Sequence, residues 1–558
     1  MNKNRKGFTI VELVIVIAVI AILAAVLIPT FASLIAKANV SADTQLVRNL
    51  NTALTTEKAG GENNKTMYDA LKMVNNAGYD IDTIVSKSGN NIAWDSVNDR
   101  FVLIDPDKNT FIYPTEAGAN AQGIGENDAV NYFVIYKELP TEQKYSIYLS
   151  KNANITEAAV KVGFDAGENE NVTAVTYENS DKQDVIIRTN GSTKVVIKDT
   201  GDGKQYHYGN AEVVDVTTGN NCYYEYGNTT VLIARAGTIN VQNGASVAVV
   251  AKNNNVTFNK ETNATVAVEK AVAEEANFEE LASNAEQYVA LVGDEGYKSI
   301  EEAITAATDG DTIKLIKDIE SSTTINVDVS NCALTIDGNG HKLTTNVETT
   351  SIMTVNGSKE FTLKNLAVYA NKVIKDSIHA DIFINTTGKV VVDGCIFDGI
   401  ANAYYNVIEF GGNTVVADGT TFSNNVFNGE SMRHNCINMY TEAANATIYV
   451  VGNSFINLGT SATNAIRISD YTDAVVNFEF KDNIYTYIAQ AATTKYAGFV
   501  LIQTNKGGCK NVTLNFKNLT VMDNVALDNN SNTHNQVYYV YTVNNMCTFD
   551  GPTVNFEK

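Results

Sequence analysis

The sequence predicts a multidomain chain: a long N-terminal α-helix, a small α+β head, a β-solenoid and a parallel β-helix. Three observations predict it. The 558 residues exceed what one hydrophobic core usually organises, which is about 250–300. One long apolar run stands near the N-terminus, and the second half is short β-rich text repeating at a nearly constant interval.

Composition removes several function classes. Lys+Arg number 41 against 63 Asp+Glu, a formal net charge of −22, whereas nucleic-acid binding needs a basic face that displaces counterions. Five prolines exclude a Pro-rich stalk. Six cysteines (Cys222, Cys332, Cys395, Cys436, Cys509, Cys547) stand singly without a C-x-x-C pair, too few for a disulfide scaffold and wrongly spaced for zinc. Cys332, Cys395 and Cys436 read as buried thiols. No metal and no cofactor is expected.

The N-terminus carries the strongest signal. Residues 1–7 are short and basic, with Lys3, Arg5 and Lys6, and FTIVELVIVIAVIAILAAVLIPTF follows from Phe8 to Phe31. The 21 residues from Phe8 to Ile28 would make about 32 Å of helix, enough to cross a bilayer core, with the basic flank on the cytoplasmic side. Glu12 lies inside the run, where a lone carboxylate costs roughly 2.5–3.5 kcal/mol and requires a cationic partner. The run itself contains none. A cut between Gly7 and Phe8 would give every copy an amine at Phe8 that Glu12 of a neighbour could neutralise. An ordinary single-span anchor leaves Glu12 unexplained. A signal peptide cut after Ala36-Lys37-Ala38 would have too long an apolar region.

KGFTIVELVIVIAVIAILAAVLIPTF resembles the prepilin N-terminus of type IV pilins and pseudopilins. It has the leader ending in Gly7, the aromatic Phe8, Glu12 at the fifth mature position and Pro29 at the twenty-second. The resemblance implies a prepilin peptidase that cuts after Gly7 and N-methylates Phe8. It also implies a helix that holds the subunit in the membrane before assembly and then joins other pilin subunits and their assembly machinery in a surface filament. Pro29 lacks an N–H and should kink or loosen the helix. Beyond it Phe31, Leu34, Ile35, Ala38, Ala42, Leu46, Leu50, Ala53 and Leu54 recur at three- and four-residue steps, a stripe that should pack on the head, and Gly60-Gly61 ends the helix at the close of segment 8–60.

Residues 61–150 read as the head. Thr66–Ala77 reads as a short helix before Gly78, and Ala93–Asp105 as a hairpin turning at Asn98-Asp99. Tyr132–Tyr136 and Tyr145–Leu149 read as further strands. The Trp94-Asp95 and RFVLID hairpin is similar to heads of Gram-positive pilin-like proteins. Residues 151–270 hold short β runs parted by Asn-Gly turns such as Asn190-Gly191 and Asn243-Gly244, which predicts a small β-solenoid. The acidic, alanine-rich 271–293 reads as a helical linker.

From 294 to 558 the pattern apolar-apolar-[D/K]-[G/N]-x-x-apolar aligns Asp337, Lys364, Asp393, Asp418, Val451, Lys481 and Lys517, at steps of 27, 29, 25, 33, 30 and 36 residues. Four positions on stand Val368, Phe397, Phe422, Phe455, Tyr485 and Val521, an expected interior column, with His341 in the first slot. A second column runs through Ile352–Val355, Ile382–Ile384, Val407–Phe410, Ile437–Tyr440, Ile466–Ile468, Val500–Ile502 and Tyr538–Tyr541. This predicts a stiff coil of two strands per turn. The text Tyr288–Ile319 leading into LTIDGNGH resembles the start of right-handed parallel β-helices of the pectin-lyase-like class, where a helix, here Ser299–Thr308, caps the first rung.

That class includes polysaccharide lyases and hydrolases, so Asp393, Asp398, Asp418, Glu409, Arg433, His434, Arg467, Asp470 and Asp473 are candidate catalytic groups. Asp393 and Asp418 should stack on adjacent rungs, where a shared calcium is conceivable. Against this, aspartate before glycine is ordinary turn chemistry and Lys364 would lie between Asp337 and Asp393 as a charge ladder. No paired catalytic set stands out, and the expectation is no enzyme. Tyr223, Tyr224 and Tyr226 cluster, as do Tyr538, Tyr539 and Tyr541, and alternation would turn some of each group into the core. The reading is a pilin-like subunit displaying a β-helix passenger for adhesion to a glycan or matrix protein. The alternatives are a surface-tethered polysaccharide lyase or hydrolase, and a pseudopilin of a secretion or DNA-uptake system.

Overall fold

The computed structural model describes residues 10–60, parts of 70–165, and from 166 to 557 all but short stretches, the longer being 180–183, 218–221, 346–350, 372–379, 459–463, 488–497, 505–510, 523–535 and 543–552. The chain divides into two compact units, 1–282 and 283–558.

Unit one begins with a single helix, Ile10–Ala59, that runs through Pro29. Among the described residues no helix is long and apolar enough to cross a membrane. Between residues 10 and 27 the described side chains are those of Val14, Ile15, Ile17, Ala18, Val19 and Ala21, all exposed. The expected stripe is buried only in its later half. Phe31, Leu34 and Ile35 are more than half exposed, and Ala42 is exposed. Burial starts at Asp43 and continues through Val47, Leu50, Ala53 and Leu54, because the head covers the helix only from there.

Two polar side chains fix that contact. Asn51 donates from Nδ2 to the Phe101 carbonyl (2.8 Å) and accepts the Phe101 N–H (2.7 Å), so it binds the strand as a neighbouring strand would. The Asp43 carboxylate is 1 % exposed and accepts the N–H groups of Lys87 and Ser88 and the hydroxyls of Ser86 and Ser88. Burial pushes its pKa up, but these donors outweigh burial and hold it below the ordinary carboxylate value.

The expected hairpin is present: Asn91–Asp95 pairs antiparallel with Arg100–Asp105, Ala93 opposite Val102, while Asn98-Asp99 lie outside the described residues. Thr110–Tyr113, Val130–Val134 and Ser146–Leu149 extend the antiparallel sheet. The Thr66–Ala77 helix falls largely outside the described residues, with Ala70, Met73 and Val74 helical.

Ser146–Leu149 then pairs in parallel with Gly163–Asp165, and the chain coils. From 157 to 272 successive turns stack as two parallel sheets. One sheet aligns Phe164, Ile187, His207, Glu225, Val241 and Lys260, and the other Lys194, Val213, Val231, Val249 and Val268. One apolar core runs without a break from Val47 and Leu50 through Phe101 to Val250. The helix Glu275–Gln287 then spans the boundary between the units.

In unit two the helix Ile300–Ala306 is capped by Ser299, whose hydroxyl accepts the Glu302 N–H, and it buries Ile300 and Ala303. The coil that follows has three strands per turn where the sequence suggested two. Three parallel sheets run from 312 to 557, with Phe361–Lys364, Ala367–Ala370 and Ala380–Thr386 forming one representative turn. The unforeseen sheet lay within the first expected pattern, which merged two. The aligned Asp/Lys position ends a strand of the first sheet, and the apolar position beyond it lies on the second. The second expected column is the third sheet, aligned through Met353, Ile382, Ile408, Ile437, Ile466, Val500 and Tyr538.

A short corner separates the first and second sheets. Asn365, Gly394, Asn424, Gly452, Asp482 and Asn518 occupy it at φ between +52° and +68°, the left-handed region that glycine and asparagine tolerate best. The following residue points inward and forms a column of Leu366, Cys395, Asn425, Asn453 and Asn483, all buried. Asn425 Oδ1 accepts the Cys395 N–H (2.9 Å), Asn453 Oδ1 the Asn425 N–H (3.0 Å) and Asn483 Oδ1 the Asn453 N–H (3.0 Å). Their amides donate to the carbonyls of Val392, Phe422 and Val450. Beside them Phe397, Phe427 and Phe455 stack with centroids 5.0 Å apart, which is the rung spacing.

Asn453→Ala should therefore lower unit-two stability by about 3–5 kcal/mol, since it strands the Asn425 N–H and the Phe422 carbonyl in the interior. Asn385→Ala removes a similar bond to Asn356, but on the exposed face, and should cost under about 0.5 kcal/mol. Urea unfolding of the two variants checks this, and equal losses would contradict it.

Candidate functional site

The N-terminal determinants lie at the edge of the described chain. Gly7 and Phe8 fall outside the described residues. Glu12 belongs to the Ile10–Ala59 helix, and its side chain is not among those described. Pro29 is inside the same helix, where it supplies no N–H to the carbonyl of Ala25.

The proposed Asp393 and Asp418 pair is not formed. The register sets Asp393 beside Lys364 and Ser423, so Ser423 and not Asp418 occupies the next rung. Asp418 sits one turn segment earlier, exposed, after the short strand Val415–Val416 that pairs with Glu442–Ala443. Val416-Ala417-Asp418-Gly419 imitates the Val392-Asp393-Gly394 corner, and that imitation caused the misalignment. With Ser423 in place the steps of 25 and 33 residues become 30 and 28, and Phe427 replaces Phe422 in the second-sheet column. Phe422 is a first-sheet residue. Leu343 fills the slot assigned to His341, because the first corner is two residues longer.

Each carboxylate already has partners of its own. Asp393 Oδ1 accepts from the Ser423 hydroxyl (2.6 Å) and the Asn424 amide (2.9 Å), and Asp418 Oδ1 accepts the Thr447 N–H (2.7 Å). The charge ladder holds on one side, with Lys364 Nζ 3.3 Å from Asp337 Oδ2.

The remaining candidates are dispersed. Asp398 Oδ1 accepts from Gly399 N–H, Asn428 Nδ2 and Ser431 Oγ, a corner-bracing role. Glu409 accepts from Asn406, Arg467 donates to Gln503, and the His434 ring lies 4.1 Å from that of Tyr405. Asp470, Asp473 and the side chain of Arg433 lie outside the described residues. Among the described residues no group of three or more His, Cys, Asp or Glu side chains is placed to hold a metal ion.

Cys222, Cys332, Cys395 and Cys436 are free thiols. Cys395 and Cys436 are buried as expected, with burial pushing the Cys395 thiol up to about 12, but Cys332 is partly exposed.

Sequence reading missed a polar buried cluster inside the two-sheet coil of unit one. Glu225 and His207 are fully buried, with Glu225 Oε1 2.8 Å from His207 Nδ1. Glu225 also accepts from Gly227 N–H, the Tyr223 hydroxyl and the Thr229 hydroxyl, each at 2.7–2.8 Å. Thr189 donates its hydroxyl proton to the Asn210 carbonyl, so its oxygen accepts from His207 Nε2 at 2.8 Å. The ring thus bridges Thr189 and the Glu225 carboxylate. Burial alone would raise the Glu225 pKa, but His207 and the hydroxyl donors carry it below its usual value. The groups are fully satisfied and closed to solvent, so the cluster braces the coil and offers no reactive group. The signal was the spacing of about 18 residues per turn, which stacks His207 on Glu225.

Comparison with known proteins bears on the N-terminus. Residues 2–28 match the prokaryotic N-terminal methylation motif. The chain carries a type IV pilin N-terminus. A fimbrial protein of Moraxella nonliquefaciens is 46% identical over 57 residues, 10% of this chain and 37% of the relative. The type IV wide pilus major component PilA4 of Thermus thermophilus is 54% identical over 52 residues, 9% of this chain and again 37% of the relative. The pilin-type segment thus spans little more than a third of either relative, and the matched lengths account for about the extent of the long helix.

If Asp393 and Asp418 form no shared site, millimolar calcium should leave the melting temperature unchanged, and Asp393→Asn and Asp418→Asn should respond identically to wild type. A calcium-dependent rise in melting temperature that either substitution abolishes would contradict the geometry.

Proposed function

We propose that the protein is a type IV pilin-like subunit that assembles through its N-terminal helix and displays its coiled β units for adhesion. The match of residues 2–28 to the methylation motif, with Glu12 inside an otherwise apolar run, carries the reading. A prepilin peptidase hydrolyses the Gly7–Phe8 bond and methylates the new amine. Before assembly the run Phe8–Ile28 holds the subunit in the membrane as a single span. Its support is 21 residues with one charge, flanked by Lys3, Arg5 and Lys6.

In the filament the Phe8 amine of one subunit neutralises Glu12 of another, which removes the cost of the buried carboxylate. The exposed Phe31, Leu34 and Ile35 continue the apolar face that neighbouring helices would cover. The size of the coiled units favours a minor or tip position over the repeating subunit of a thin pilus. Loss of the basic leader makes the mature chain more acidic still, so displayed units repel one another and remain soluble.

The display units bind and do not cleave. The support is the scatter of the candidate carboxylates and their engagement in corner hydrogen bonds. The ligand is a glycan or a matrix protein.

Intact-mass measurement on membrane-extracted protein should find an N-methylated Phe8 terminus for wild type and for Glu12→Ala. Glu12→Ala should enter the membrane as well as wild type or better, and be absent from sheared filaments. Normal incorporation of Glu12→Ala would contradict the pairing, and an intact Met1 in cells with active peptidase would contradict the processing.

A further inference from the structure

Alternation in the two-sheet coil of unit one sends Gln205, His207, Tyr223 and Glu225 inward and Tyr206, Tyr208, Tyr224 and Tyr226 outward. The register makes two columns of the outward set. Tyr206 and Tyr224 stack with centroids 5.0 Å apart and planes within 12°, and Tyr208 and Tyr226 at 4.8 Å and 10°. Arg188, on the preceding strand, closes the second column with its guanidinium 4.6 Å from the Tyr208 centroid. On the following strands the first column continues as Asn240 and Asn259, whose amides are joined at 2.9 Å. Tyr226 is 38% exposed.

A cavity of about 220 Å³ opens at the Arg188 end, lined by Asp165, Gly167, Arg188, Thr189, Tyr208 and Gly209. Asp165 Oδ2 is 3.6 Å from Arg188 Nε, too far for a hydrogen bond, and that Nε has no hydrogen-bond partner. That Nε is itself buried, but 32% of the Arg188 side chain is exposed, so the cavity wall presents a guanidinium and a carboxylate side by side, next to an aromatic edge.

We propose that this face binds a neutral oligosaccharide, with one sugar ring in the cavity and the next along the tyrosine columns. The inference rests on the adhesion reading above and locates its ligand site in the two-sheet coil. Each part of a sugar finds its complement. Hydroxyl pairs meet the Asp165 carboxylate and Arg188 guanidinium, and the C–H faces lie on tyrosine, which is apolar in its body and polar at its tip. Asn240 and Asn259 offer further amide groups to hydroxyls. The two local charges cancel, and a polyanion would meet a chain of net charge −22, so charge selects an uncharged ligand.

The test titrates the full chain in detergent with chitopentaose, cellopentaose, maltopentaose and mannopentaose, and with oligogalacturonate as the acidic counterpart. Saturable calorimetric binding of at least one neutral oligomer, and none of oligogalacturonate, is expected. Tyr226→Ala and Arg188→Ala should weaken that binding by roughly tenfold with unchanged melting. Asp393→Ala, in the other unit, should leave it unchanged. Binding of no neutral oligomer overturns the ligand class, and tighter binding of oligogalacturonate does the same. Undiminished binding in both variants overturns the site while the adhesion reading stands. Failure of filaments to attach to any immobilised glycan or matrix protein overturns the adhesion reading and the site with it.

Discussion

Parallel strands in register are the constraint on which the rest of this structure depends. Once a strand pairs with the one a turn earlier, every residue is stacked about 4.8 Å from its counterpart, and each column must suit all its members at once. The corner between the first two sheets of unit two shows the consequence. Its single left-handed position admits asparagine, glycine or aspartate on six successive turns. The next position must satisfy a backbone N–H one rung away, and Asn425, Asn453 and Asn483 do so with their side chains. The same stacking sets Phe427 between Phe397 and Phe455, where each ring adds about 1.5–3 kcal/mol of burial.

In unit one the stacking joins an imidazole to a carboxylate. His207 and Glu225 meet because they stand on neighbouring turns, and a fully buried pair is tolerable only because every remaining lone pair has a donor. The head is tied down by a different device. Asp43 and Asn51, eight residues and two turns apart on one helix face, hold a loop and a strand through backbone groups. Outward-facing positions are free of these demands, which is why the stacked tyrosines there ask for an explanation other than packing.

Much of this was legible in the sequence. The pilin-type N-terminus, the Ala93–Asp105 hairpin, the capping helix at Ser299 and the third-sheet column all carry strong local patterns. Other features have none. Asp418-Gly419 forms a turn of its own before the first-sheet strand, so local text could not separate it from Ser423-Asn424, where the corner between the first two sheets lacks aspartate. An asparagine beside a left-handed asparagine reads as loop chemistry, and only the rung above shows it to be interior. The division of the first expected pattern between two sheets escaped notice because two residues, such as Asn365 and Leu366, part the strands and leave no gap in the apolar pattern. Asp43 and Asn51 are unremarkable helix residues until a loop more than 40 residues away arrives to be bound.

Helical reconstruction of native filaments tests the account most directly. The account predicts N-terminal helices bundled at the filament axis, with the Phe8 amine of one subunit against Glu12 of another and the β coils on the outside. A filament held together by coil-to-coil contacts, with the helices apart and Glu12 facing no amine, would contradict it.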